Sequence, residues 1–153
     1  MTRRSATPPL TYRQATPEDV PLLAAWNHAL IRDEGHRNAM SVAELAERMA
    51  GWLAGEYRAW LFILGDEPVA YVLVAERAED VYLRQFYVVP ERRRQGLGRR
   101  AIDLLCREIL PASKRVTVEC LVSNARGLAF WRAVGFTDYS LALEMPAGRR
   151  EMG

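Results

Sequence analysis

Three consecutive arginines, Arg92, Arg93 and Arg94, lead into Gln95-Gly96-Leu97-Gly98 and then Arg99 and Arg100. Five guanidinium groups around two glycines suit a phosphate-rich anion. Guanidinium forms two-point hydrogen bonds to phosphate, and glycine, lacking Cβ, lets the anion approach backbone N–H groups. Before this stretch runs VYLRQFYVV, a β-branched and aromatic strand sequence that Pro90 ends by removing a ladder donor. After it, Leu97, Ala101, Ile102, Leu104 and Leu105 recur at helical spacing. The order is strand, basic glycine turn, helix. The start of that helix brings unpaired N–H groups and the positive end of the helix dipole to the same place, so the turn reads as a pyrophosphate or polyanion seat.

Two familiar phosphate turns compare poorly with it. A P-loop needs four residues between its glycines and then Lys-Ser or Lys-Thr, whereas one residue separates Gly96 from Gly98 and arginines follow. A dinucleotide fingerprint is spelled by Gly96, Gly98 and Ala101, with Glu119 about 20 residues on in the place of the ribose-binding acid. Against it, the basic loop from Pro90 to Gln95 intervenes between strand and glycine, and too little chain follows for the remaining βαβ units. A solvated, basic helix start with no ligand is the plain alternative.

The elements around the turn follow from periodicity and capping. With 153 residues, half of them hydrophobic, the chain is expected to form one domain over residues 10–147, with loose tails at 1–9 and 148–153. A short strand, Leu10 to Ala15, precedes a helix capped by Thr16 with Pro17 at its first position and Asp19 three residues after the cap. Ser41 and Glu44 form a capping box for a second helix, whose buried stripe is Val42, Leu45, Met49, Trp52 and Leu53. Strands are expected at Tyr57 to Leu64, Val69 to Glu76 and from Val81, as an antiparallel meander. The helix after the turn leads to a strand from Val116 to Val122. A helix from Asn124 closed by Gly135 and a last strand from Thr137 to Met145 complete an order β-α-α-β-β-β-α-β-α-β. The crossover helix makes the fourth and fifth strands parallel, and a ligand crevice is expected at their carboxyl ends.

Composition narrows the function. Lys plus Arg number 21 and Asp plus Glu 19, so the basicity is local, and neither stacking aromatics nor zinc spacing accompanies it; nucleic acid is not the expected partner. No apolar run approaches a membrane span and the N-terminus has no apolar leader core, so a cytoplasmic location with no membrane contact is expected. Cys106 and Cys120 read as reduced thiols. His28 and His36 have no metal partners at ligand spacing, and no metal is expected. Trp26, Trp52 and Trp60 read as core or pocket lining.

Val89-Pro90 followed by Arg93-x-x-Gly96-x-Gly98 resembles the acetyl-coenzyme A loop of the GNAT N-acetyltransferase superfamily, and Asn124, Ala129-Phe130-Trp131 and Gly135-Phe136 resemble its second block. The resemblance runs from Tyr12 to Met145 and is strongest from Tyr82 to Phe136. It implies an α/β fold, a mixed central sheet of six to seven strands flanked by four helices, whose fourth and fifth strands splay to admit the pantetheine arm. It also implies acetyl-CoA as cosubstrate, bound by Val88, Val89, Arg93, Arg94, Gln95, Gly96, Leu97, Gly98, Arg99 and Asn124. Homodimers are common in the superfamily.

Acetyl transfer to an amine needs a base, because an amine such as lysine's is protonated at neutral pH, and a donor for the developing oxyanion. Glu119 is the expected base: the resemblance places a glutamate there in several ribosomal-protein-type enzymes, and the apolar run Val116 to Val122 would desolvate it. N–H groups freed where the fourth strand bends, near Tyr87 and Val88, are the expected oxyanion donors, and the Val88 and Val89 backbone is expected to pair with pantetheine. Trp131 stands where many members of the superfamily have the tyrosine that protonates the leaving thiolate, and indole cannot do that. Either the acid is dispensable, a thiol with a pKa of about 8.5 being a tolerable anion, or Tyr139 or Tyr87 substitutes, Tyr139 being the expected one. The loop Arg32 to Asn38 is expected to wall the acceptor site, Asp33 and Glu34 suiting a cationic amine. A non-catalytic acyl-CoA sensor and an acyl donor longer than acetyl remain as rival readings.

Overall fold

A computed structural model describes residues 8–148. The order is β1 (Leu10–Gln14), α1 (Val20–Asp33), α2 (Val42–Ala54), β2 (Tyr57–Leu64), β3 (Glu67–Glu76), β4 (Asp80–Val88), α3 (Leu97–Leu104), β5 (Arg115–Val118) and α4 (Ala125–Ala133). The five strands lie in sequence order in one sheet, antiparallel at the first three joints and parallel between β4 and β5. The sheet is thus an α/β arrangement with four α-helices, and five strands replace the six to seven expected.

Both sheet faces are covered, which explains the sequence of β3. Its run Val69 to Ala75 has no polar alternation because every residue in it is buried. One face packs Leu61, Tyr71, Leu73 and Tyr87 against Leu23 and Leu30 of α1 and Met49 of α2. The other packs Phe62, Val72, Val81 and Leu83 against Ala101 and Ile102 of α3 and Leu105 beyond it. Burying such a side chain stabilises by about 1.5–3 kcal/mol each, so the sheet is the rigid frame on which the loops are hung.

The helix starts follow their caps. The Thr16 N–H donates to Asp19 at 2.7 Å, with Arg13 holding the same carboxylate, and α1 follows one 3-10 turn later. Ser41 and Glu44 close a two-way box, the Glu44 N–H to Ser41 at 3.2 Å and the Ser41 N–H to Glu44 at 2.9 Å.

The expected fifth strand, Val116 to Val122, stops at Val118, and the expected last strand, Thr137 to Met145, is not a strand. A turn in which the Asn124 N–H donates to the Leu121 carbonyl at 2.9 Å draws the chain away from β5. Thr137 to Met145 keeps the alternation of a strand, but Tyr139, Leu141, Leu143 and Met145 are exposed, and no strand among the described residues pairs with it. Alternation alone marks a pleated segment; pairing also needs a free edge within reach. The segment crosses to the α1–α2 connection, where Arg37 grips Glu144 in a two-point pair at 2.6 and 3.1 Å. Of the expected tails, residues 1–7 and 149–153 lie outside the described residues. Pro8 and Pro9 are held, their carbonyls accepting from Arg100 and the Gly65 N–H.

Candidate active site

The β4–α3 turn is shaped by two left-handed residues. After β4 a short 3-10 turn, Pro90–Arg92, is followed by Arg93 in extended conformation, Arg94 at φ 63° and Gly96 at φ 75°. Arg94 is the one non-glycine residue with positive φ among the described residues, a position that costs energy for a side chain with Cβ. Such a reversal turns successive backbone N–H groups toward one side, which is how main-chain anion sites are built. Past Arg93, whose N–H donates to the Pro90 carbonyl at 3.3 Å, the next N–H with a backbone acceptor is that of Arg100, bonded to the Gly96 carbonyl at 3.0 Å. The N–H groups of Leu97, Gly98 and Arg99 form the open first turn of α3.

Gly98 is required by packing as well. A Cβ there would stand 3.0 Å from Phe130 Cε1 of α4 and 3.7 Å from Phe86 of β4. The arginines divide their work. Arg92 pairs with Glu67 at 2.7 Å, Arg99 donates to the Ala133 carbonyl at 3.2 Å, and Arg100 donates to Pro8. Arg93 lies over the Tyr87 ring and binds both the Val88 carbonyl, at 2.9 Å, and Asp33, at 2.6 Å. Arg94 is exposed and has no side-chain partner among the described residues. Gln95 donates to the Glu91 carbonyl at 3.3 Å. Thus Arg94 and the open amides are the groups free to take an anion, while Arg93 shapes the turn and ties it to the end of α1.

Beside the turn the sheet opens. The β4–β5 register ends at Leu83 and Val118, so β4 runs on through Val88 without a neighbour on that side. The bend expected near Tyr87 and Val88 lies earlier. Leu73 faces Gln85 and Val74 faces Leu83, leaving Arg84 as the bulged residue at the point where β5 departs. The Val89 N–H donates to the Val69 carbonyl at 2.9 Å and the Val89 carbonyl accepts from Arg92. The Val89 N–H is therefore already spent, and its carbonyl holds one donor and keeps one lone pair. Alternation along an antiparallel ladder turns Tyr87 toward β3 as well and sets the Phe86 and Val88 groups on the open edge. Of the expected oxyanion donors, only the Val88 N–H faces the cleft.

The acceptor half is built from four elements. Asp33 ends α1, and Glu34, just after it, is half-buried. Burial, and secondly the charge of Asp33, holds the Glu34 carboxyl above the usual carboxylate range. Beneath it a polar chain runs through the core: the Tyr71 hydroxyl donates to Gln85 at 2.8 Å, and Gln85 donates to the wholly buried Asn27 at 3.1 Å. Burial, with the Glu34 charge as the next cause, pushes the Tyr71 phenol well up, and it stays protonated. Arg48 of α2 and Arg84 of β4 converge on Trp52, their guanidinium carbons 4.3 and 4.5 Å from its ring centre. Arg84 also donates to the Tyr57 hydroxyl at 3.2 Å. Sequence reading missed Asn27, Arg48, Arg84 and Gln85. A signal existed for two of them: Asn27 and Arg48 lie within the apolar stripes Leu23–Leu30 and Leu45–Met49–Trp52, where a polar residue is out of place.

Other expected residues fall elsewhere. Glu119 lies one residue past β5 and is exposed, so it lacks the desolvation expected of it; its charge is felt by Tyr82, whose phenol is raised by burial first and by Glu119 second. Tyr139 is 87% exposed, and no hydrogen bond or aromatic contact among the described residues joins it to the cleft. Trp131 packs with Phe130 and Phe136, ring centres 5.0 and 5.2 Å away, and with Phe86 at 5.9 Å. Asn124 caps α4, accepting from the Gly127 N–H at 3.0 Å. Among the described residues no three His, Cys, Asp or Glu side chains are grouped to hold a metal, and no helix is long and apolar enough to cross a membrane.

Known proteins share this fold. The profile of the Acetyltransferase (GNAT) family matches residues 12–136. No protein of curated function matches the chain. An acetyltransferase from Thermus thermophilus is similar over 84% of this chain and 86% of its own, at 26% identity and a TM-score of 0.69. A predicted acetyltransferase from Clostridium acetobutylicum, solved with acetyl-CoA, covers 90% of this chain and 96% of its own at 19% identity and a TM-score of 0.69. The aminoglycoside N-acetyltransferase AAC(6')-Iy, solved with CoA, covers 97% and 99% at 11% identity and a TM-score of 0.74. A five-stranded sheet opened between its parallel strands, a glycine turn of unpaired amides and a family match across most of the chain agree, and the chain belongs to the GNAT acetyltransferase family.

Proposed function

We propose that the protein transfers the acetyl group of acetyl-CoA to a primary amine by direct attack in a ternary complex. One observation carries this reading: β4 outruns β5 by five residues, Arg84 to Val88, and delivers the chain straight into the glycine turn. A pantetheine arm can then add to the open β4 edge through Phe86 and Val88 while its pyrophosphate meets the amides from Leu97 to Arg99 and the Arg94 guanidinium. The thioester carbonyl comes to the Val88 N–H, which is placed to stabilise its oxyanion.

Glu34 serves as base better than Glu119. It stands at the mouth of the acceptor half, and its raised carboxyl pKa brings it closer to that of the amine proton it must take. Asp33, bound to Arg93, links the acceptor wall to the cofactor turn. Tyr87, beneath Arg93 and kept protonated by burial, fits the proton donor for the leaving thiolate better than exposed Tyr139. Calorimetric titration with acetyl-CoA and a free-thiol assay against a panel of amines test the reading. Binding with thiol release is expected. A sensor role is favoured by Trp131 in place of a tyrosine, and binding without release for any amine would establish it.

A further inference from the structure

We propose that Arg48 and Arg84, joined across Trp52, form an anion seat in the acceptor half, so that the acceptor carries an acidic group as well as the amine that is acetylated. This rests on the acetyl-transfer reading above and names its substrate class.

The two arginines come from α2 and from the bulge of β4, yet both lie on one indole, within 4.5 Å of the ring centre. Like charges so placed repel, and the indole face offsets that only in part, so the pair attracts a counter-charge. None of the ion pairs among the described residues includes either one. Arg84 has only the neutral Tyr57 hydroxyl. Arg48 Nε is buried and has no hydrogen-bond partner among the described residues, a donor that ordinarily finds one. Burial and the charge of Arg84 hold the Arg48 guanidinium below its usual range, and an incoming anion acts in the opposite direction.

The location gives the seat its meaning. Arg84 is the chain neighbour of Gln85, which takes the Tyr71 hydroxyl at 2.8 Å, and Tyr71 feels the charges of both Glu34 and Arg48, so base and anion seat are near the same phenol. An amine at Glu34 and an acidic group at the arginines would both lie near the Tyr71 hydroxyl, within the span of one small molecule or peptide end. A polycation such as an aminoglycoside meets like charge at the same point. Several proteins of similar structure are named as aminoglycoside acetyltransferases, so this seat would set the present chain apart from them.

The test uses amines matched but for the acid: phenethylamine with L-phenylalanine, ethanolamine with O-phosphoethanolamine, and kanamycin as the polycation. Thiol release is followed for the natural chain and for R48Q, R84Q and R48K, with the acetyl-CoA dissociation constant measured for each. The acid-bearing member of a pair should be favoured about tenfold or more in kcat/KM. R48Q and R84Q should abolish that preference through KM, with acetyl-CoA affinity kept, and R48K should restore part of it. The carboxylate and phosphate arms separate the two sources of the anion. Preference for the acid-free amines or kanamycin, or a preference that survives in both glutamine variants, overturns the seat. If no amine releases thiol, titration of Trp52 fluorescence with L-phenylalanine and O-phosphoethanolamine, against W52F, decides separately. A saturable change lost in R48Q upholds the seat while acetyl transfer falls; no change overturns the seat.

Discussion

The two halves of the site are built from opposite materials. The cofactor half is one continuous stretch, Phe86 to Arg99, and works through backbone: left-handed Arg94 and Gly96, the open amides of α3 and the bare edge of β4. The acceptor half is an assembly of side chains from distant positions, Glu34, Arg48, Trp52, Tyr71, Arg84 and Gln85, held by burial and one hydrogen-bonded chain. Backbone sites tolerate change of side chain but not of conformation or space. Side-chain sites keep their shape under substitution and change what they accept. Arg93 joins the halves, with its Asp33 and Val88 contacts.

That contrast is open to attack at graded strengths. The largest effect should come from E34Q: kcat falls about 10²–10⁴-fold while acetyl-CoA binds as before. The active base is the ionised form, so activity falls as pH drops through the Glu34 pKa. Because burial raises that pKa, the acid limb lies above the ordinary glutamate value of about 4.3, and E34Q should lose the limb. An unchanged pH profile would remove Glu34 from the role.

G98V strikes the other half. Its Cβ and methyls meet Phe130 and crowd the open amides, so acetyl-CoA affinity should fall about 100-fold, with about 1–3 kcal/mol of stability lost to overpacking. Normal affinity by calorimetry would show that the turn is not the phosphate seat. R93A tests the link: about tenfold weaker acetyl-CoA binding is expected, together with a raised amine KM as Asp33 is released. An effect on one ligand alone would mean that the halves are independent.

The mildest test is S41A. It removes the cap of α2, costing about 1 kcal/mol and roughly 2–4 °C in Tm, and leaves acetyl-CoA affinity unchanged because α2 carries only acceptor-side residues. A loss of acetyl-CoA binding in S41A would contradict the separation of the halves.

Features that depend on near neighbours in the chain were legible in the letters alone. The capping boxes at Thr16 and Ser41, the helix after Gly96, the parallel joint of β4 and β5 and the glycine turn all rest on contacts within a few residues or on one crossover. Long-range packing settled the rest. Glu119 and Tyr139 fall within expected strands that β5 and the segment after α4 do not form, because a strand exists only where a partner edge meets it. Which carboxylate is half-buried at the end of α1, which arginines share an indole and which amides face the cleft depend on residues tens of positions apart meeting in the fold. No local pattern records those meetings; packing around β3 makes them.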